Sequence, residues 1–245
     1  TVLVALENAD PNGMVTVSSR AAATGEREID LVAGEQVSLD SLLKAAMVHS
    51  ANDAATAIAE HVGGSVDGFA AMMNAKAAEL GMTKSHFVNP HGLDTNGHVT
   101  TARDMLTLAL AAMDNPDFRD IVRARMMVFP DAPDGTRRIG SSTNLMLDDY
   151  DGANGIKTGF TNRALLTFVA SASRDGRELY AVVLGTEERR SHFTAARRLF
   201  DYGFDDLRMY GVLAGLPYQP THLTMRPDPI DLTASVEAQV HLAGE

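Results

Sequence analysis

Lys157, Thr158 and Gly159 stand in a row within DGANGIKTGFTNRA, residues 151–164, a stretch that reads as a strand bounded by turn formers. An ammonium and a hydroxyl side by side grip a carboxylate, and a glycine lets a ligand's backbone lie against the strand edge. Taken alone, the same tripeptide also reads as a solvated lysine on a strand edge. A second constellation is Ser50 and Asn52 in HSANDAA, at the break between two helical patterns. A hydroxyl that passes a proton and an amide that donates to a carbonyl, two residues apart, would wall a cleft. Either side chain taken singly reads as a helix N-cap.

The only Ser-x-x-Lys spacing in the chain is Ser41 to Lys44. On a helix those positions share a face, where a lysine could activate a serine. Along a continuous helix, however, Ser41 and Ser50 stand on the order of 13 Å apart, too far for both to meet one reacting carbonyl. Ser41 is therefore read as a first-turn helix residue. His86, His91 and His98 lack metal-ligand spacing, and the chain has neither a His-x-x-x-His pair nor a Gly-x-Ser-x-Gly elbow. No metal and no cofactor are expected.

These groups need a scaffold, and the hydrophobic periods outline one. Val2 to Leu6 read as the tail of a helix, MVTVSS and REIDLVAG as short strands or extended segments, and residues 38 to about 115 as largely helical. Gly63-Gly64 and Gly81 fall where helices stop, and Thr101 to Asp104 forms a capping-box pattern. Between them, HFVNPHGLDTNGH reads as a long polar loop. Then the period changes. Leu165 to Ser173 and Glu178 to Thr186 are strand-length apolar runs joined across Asp175-Gly176, a hairpin signal. With the Lys157 segment they predict an antiparallel meander, covered by a helix over about Ser191 to Tyr202 with Phe193, Ala196, Leu199 and Phe200 on one face.

Composition narrows the chemistry further. A formal net charge of −11 argues against nucleic acid as a partner. The absence of cysteine excludes disulfides, thiolate metal sites and thiol nucleophiles. No apolar run approaches the roughly 20 residues of a spanning helix. The first residues lack a signal-peptide pattern and begin without a methionine in mid-pattern, so an upstream segment is expected.

Taken in order, LVAGEQVSLDSLLKAAMVHSANDAATAIAEHVGGS, MNAKAAELGMTKSHFVNPHGLD, TTARDM, DGANGIKTGFTNRA and RRLFDYGF resemble the penicillin-binding D-alanyl-D-alanine carboxypeptidases of the low-molecular-mass type, over about residues 1–204. The resemblance implies an α/β (α+β) fold of the β-lactamase/transpeptidase-like kind: an antiparallel sheet flanked by helices, a mainly helical subdomain, and a cleft between them. It implies a catalytic domain over 1–204, N-terminally incomplete, with 205–245 a tail or the start of a second β-rich segment. The activity implied is removal of the terminal D-alanine from peptidoglycan stem peptides through an acyl-enzyme, with β-lactam antibiotics trapping the same serine.

By position, Ser50 and Asn52 match the family's Ser-x-Asn motif, the serine moving protons and the asparagine holding the peptide. Lys157, Thr158 and Gly159 match its Lys-Thr-Gly strand, which draws in the terminal carboxylate, and the Phe160 amide would complete an oxyanion hole. The family's nucleophile and base would fall just before Thr1, leaving this chain inactive alone. Relatives often carry a carboxylate-binding arginine near His192, for which Arg189 and Arg190 are the nearby candidates. An extracytoplasmic location follows, with any membrane association supplied by segments outside this chain. The alternatives are a serine β-lactamase, separable by nitrocefin turnover, and a protein that binds peptidoglycan peptides without cutting them.

Overall fold

A computed structural model describes residues 1–206, 223–224 and 237–241. The first helix, α1 (Val2–Asn8), buries Val2, Leu3, Val4 and Ala5, and gives way to a short antiparallel pair, β1 (Met14–Thr16) with β2 (Gln36–Ser38), that brackets α2 (Ser19–Ala22). REIDLVAG, expected as a strand or extended segment, forms no strand. The backbone N–H groups of Ile29 and Leu31 instead donate to the Asp53 carboxylate, at 3.1 and 3.0 Å to Oδ2, so they are not free to build a ladder.

The helical part follows as α3 (Leu39–Lys44), α4 (Asn52–Gly63), α5 (Val66–Glu79), α6 (Ala102–Met113) and α7 (Pro116–Val122). Side chains of Ser38, Ser65, Thr101 and Asn115 accept the first free amides of α3, α5, α6 and α7. Gly64 leaves α4 in the left-handed region. Phe69, Leu42, Leu43 and Ile58 are fully buried at the centre of this bundle. Residues 116–150, which carry no clear period in sequence, hold α7, the hairpin β3 (Met126–Val128) with β4 (Ile139–Ser141), and α8 (Met146–Asp149).

The meander is present as β5 (Ala153–Thr161), β6 (Leu165–Arg174) and β7 (Arg177–Thr186), all antiparallel. Asp175 and Gly176 both take positive φ, 51° and 73°, as a two-residue hairpin turn with the strands' own twist requires. One face of the sheet presents Val169, Tyr180 and Val182 to the helical bundle, while Phe168, Ala170, Ala181 and Val183 pack under α9 (Ser191–Asp201). Most of 205–245 lies outside the described residues. Of that stretch, β8 (Leu223–Thr224) pairs with β9 (Glu237–His241), which adds to β7, giving the order β5-β6-β7-β9-β8. Among the described residues β5 is thus an edge strand.

Candidate active site

The helical wall of the cleft is made where α3 fails to run on regularly into α4. Its last turn widens into a π-type turn over Ala45–His49, and Ser50 follows with left-handed backbone, φ 66° and ψ 36°. Such a conformation costs a non-glycine residue on the order of 1 kcal/mol and persists only where neighbours hold it. Here the loop 25–31 does the holding. Asn52 N donates to Arg27 O at 2.7 Å, Asn52 Nδ2 donates to Gly25 O at 3.0 Å, and Arg27 Nε donates to His49 O. Asp53, only 1% exposed, fastens the next part of that loop by accepting from Ile29 and Leu31. Burial pushes its carboxyl upward from the usual range, and the three backbone N–H donors of Leu31, Ala54 and Ile29 oppose that push.

The opposite wall is β5. Asn144, buried, donates from Nδ2 to Gly155 O at 2.9 Å and fixes the strand from beneath. Thr158 Oγ1 lies 2.6 Å from Thr143 Oγ1, and Thr143 N donates to Val48 O at 3.3 Å, so one threonine links the strand to the π-type turn. The walls meet where Lys157 Nζ donates to Ser50 Oγ at 2.9 Å and to Thr158 O at 2.7 Å. Burial, with a contribution from the Arg27 guanidinium, pushes the Lys157 ammonium down to about 8.

Ser50, Asn52 and Lys157 all line one cavity of about 290 Å³, whose other walls are largely apolar and include Val2, Met47 and Val169. The polar loop anticipated in HFVNPHGLDTNGH supplies part of its lining, Phe87, Asn89, Pro90, His91, Gly92 and His98. Asp94 ties that loop to the end of β5, accepting from Thr161 Oγ1 at 2.8 Å and from Arg163 N at 3.0 Å. His91 and His98 serve this loop as acceptors of backbone N–H groups, from Leu93 and Val88. Burial holds both imidazoles below their ordinary range, His91 at about 4.

The expected site residues differ in how far they enter the cavity. Thr158 is engaged with Thr143, and Phe160 is 63% exposed beyond the cavity's lining. A Cβ at Gly159 would stand 2.6 Å from Thr167 Oγ1 on β6, so any other residue there would force the cross-strand threonine to shift. Ser41 and Lys44 stay outside: Ser41 Oγ pairs with Ser38, and Lys44 forms its ion pair with Asp40. Arg189 and Arg190 are exposed ahead of α9 and do not line the cavity. His192 is 5% exposed against Phe168 and Phe193, and burial lowers its pKa. Sequence spacing offered no signal for Arg27, Thr143 or Asp94, because each reaches the site from a loop; Asp94 alone lay in a segment already marked as a polar loop.

The sequence profile of the D-alanyl-D-alanine carboxypeptidase family matches residues 1–188. The chain belongs to that family. It is 35% identical over 221 residues to D-alanyl-D-alanine carboxypeptidase DacC of Escherichia coli, covering 87% of this chain and 53% of that protein. It is 36% identical over 207 residues to D-alanyl-D-alanine carboxypeptidase DacB2 of Mycobacterium tuberculosis, covering 82% of this chain and 70% of that protein. The chain thus spans about half the length of the first of these relatives. The crystal structure of a D-alanyl-D-alanine carboxypeptidase from Mycobacterium tuberculosis superposes with a TM-score of 0.79 at 34% identity, over 85% of this chain and 81% of that one. With such carboxypeptidase neighbours the fold class is the expected one, α+β of the β-lactamase/transpeptidase-like type.

Proposed function

We propose that this chain carries the substrate-holding part of a serine D-alanyl-D-alanine carboxypeptidase, which removes the terminal D-alanine from peptidoglycan stem peptides and is trapped by β-lactams. The observation that carries the reading is the Lys157 Nζ to Ser50 Oγ hydrogen bond, 2.9 Å long and formed across 107 positions of sequence. Because the ammonium donates to Oγ, the Ser50 hydroxyl proton is left free to be given to a departing nitrogen, and the ammonium replaces it. The nucleophilic serine and its lysine base lie before Thr1, outside this chain. That serine oxygen attacks the carbonyl of the penultimate residue, its proton passing to the base. The C–N bond breaks as the leaving amine takes a proton through Ser50, and water then cleaves the ester.

In this reading residues 1–204 form the catalytic domain, incomplete at its front, and the protein works on the extracytoplasmic side. Asn52 orients the peptide, Lys157 and Thr158 receive its terminal carboxylate, Gly159 lets its backbone approach, and the Phe160 N–H stabilises the developing oxyanion. The chain alone is therefore expected to bind D-alanyl-D-alanine peptides without cutting them and to gain no mass from a fluorescent penicillin. Titration with N-acetyl-D-alanyl-D-alanine and intact-mass analysis after penicillin treatment test both halves. Absence of peptide binding would sink the substrate reading; a stoichiometric adduct on Ser50 or Ser41 would sink the placement of the nucleophile.

A further inference from the structure

Arg27 is a cation for which the expected machinery has no use. It sits in the loop that holds the Ser50 turn, and three features fix it beside that serine. Its carbonyl accepts from Asn52 N at 2.7 Å, its Nε donates to His49 O, and Ser50 lies between those two partners. Among the described residues no hydrogen bond or ion pair engages either terminal nitrogen of the guanidinium, and the residue is exposed, outside the lining of the cavity that holds Ser50 and Lys157. On the other side of Ser50 stands Lys157. Among the described residues no carboxylate forms an ion pair with either cation; Glu26 and Glu28, adjacent in sequence, are also unpaired with Arg27. In a chain of net charge −11, two unpaired cations around one hydroxyl repel each other until an anion arrives. The effect of Arg27 on the Lys157 ammonium is the same repulsion seen from the lysine.

We propose that Arg27 and Lys157 form a two-cation carboxylate subsite flanking Ser50, with Arg27 the outer member that selects ligands by a carboxylate it receives on its free fork. The guanidinium suits this role because its planar pair of terminal N–H groups donates bidentately to a carboxylate, and the bond to His49 O already restricts its rotation. The subsite deepens the peptide-binding reading given above and rests on it for the identity of the ligand. The carboxylate could belong to the C-terminus of the peptide or to an acidic side chain before the two D-alanines.

Three probes separate the sources: N-acetyl-alanyl-D-alanyl-D-alanine, with a terminal carboxylate only; the amide of N-acetyl-glutamyl-D-alanyl-D-alanine, with a side-chain carboxylate only; and the amide of N-acetyl-alanyl-D-alanyl-D-alanine, with none. Binding to the intact chain is measured by calorimetry for the wild type, Arg27→Gln and Arg27→Lys. Arg27→Gln is expected to weaken one of the first two probes about tenfold and to leave the third unchanged. Arg27→Lys should recover part of the loss, since charge returns without the fork. Whichever probe is weakened names the source. Equal affinities of wild type and Arg27→Gln for both carboxylate probes would overturn the subsite while leaving the peptide reading in place. If the wild type binds no peptide, the substrate reading fails and sodium acetate decides the subsite: displacement of the Arg27 Nε–H resonance by acetate upholds it, and an unmoved resonance overturns it.

Discussion

On one wall of the cleft, β5 is held by a regular ladder: Lys157 stands opposite Val169, Thr158 opposite Phe168 and Gly159 opposite Thr167 on β6. On the other, Ser50 sits in left-handed backbone after a π-type turn, and no ladder supports it. What replaces the ladder is a set of polar ties from one loop, Gly25 and Arg27 to Asn52, Arg27 to His49, and Ile29 with Leu31 to Asp53. The strand wall therefore draws its geometry from many repeated bonds, each of modest worth, whereas the turn wall depends on a few, the buried ones to the Asp53 carboxylate foremost. Damage to the second should be local and large, damage to the first shared and small.

Asp53 is the sharpest place to break that comparison. Asp53→Ala removes the acceptor for two loop amides and leaves them buried without partners, a loss expected to reach about 3 kcal/mol. The measurable outcome is a lowered unfolding midpoint together with faster amide exchange at Ile29 and Leu31, while amides of the β5–β6 ladder keep their protection. Equal loss of protection on both walls would show that they are not independent. Asp53→Asn should fall between the wild type and alanine, because an amide oxygen still accepts.

The same division explains which parts were legible in the sequence. β5, β6 and β7 announced themselves by strand-length apolar runs and by Asp175-Gly176, and the helices by period and caps, because these signals are local. REIDLVAG was expected as a short strand or an extended segment, and the strand alternative did not form: the alternation of apolar Ile29 and Leu31 is real, but a carboxylate from α4 takes the hydrogen bonds a strand would use. Residues 116–150 were silent because a seven-residue helix and two three-residue strands are shorter than any period can establish. Ser50, Asn52 and Lys157 were found through motifs and do share a cavity. Arg27 had no motif, since its place depends on backbone contacts between segments more than twenty positions apart.

Lys157 joins the two walls, and pH reads the junction. Its ammonium is held down at about 8 by burial and by Arg27, so a carboxylate ligand should bind well below that pH and lose affinity as pH rises through it, up to tenfold per unit once the amine is mostly neutral. Stability should move the other way. The unfolded chain, with an ordinary lysine near 10.4, holds more protons than the folded one between about 8 and that value, so this group makes the protein more stable as pH rises through the window. Lys157→Met should flatten both profiles. An unchanged slope of stability against pH in the variant would show that some other group titrates there.

The smallest effect belongs to the tie between the polar loop and the end of β5. Asp94 is exposed, and its two bonds to Thr161 and Arg163 compete with water, so Asp94→Asn should cost no more than about 1 kcal/mol of stability. Its influence is expected in the loop rather than in the core: exchange of the Arg163 amide should quicken, and peptide should dissociate faster from a cavity whose lining loop is no longer fastened to β5, with association little altered. Equal acceleration of association and dissociation would make Asp94 a gate that admits the ligand, and the loop's connection to the strand wall would then be a barrier instead of a clasp.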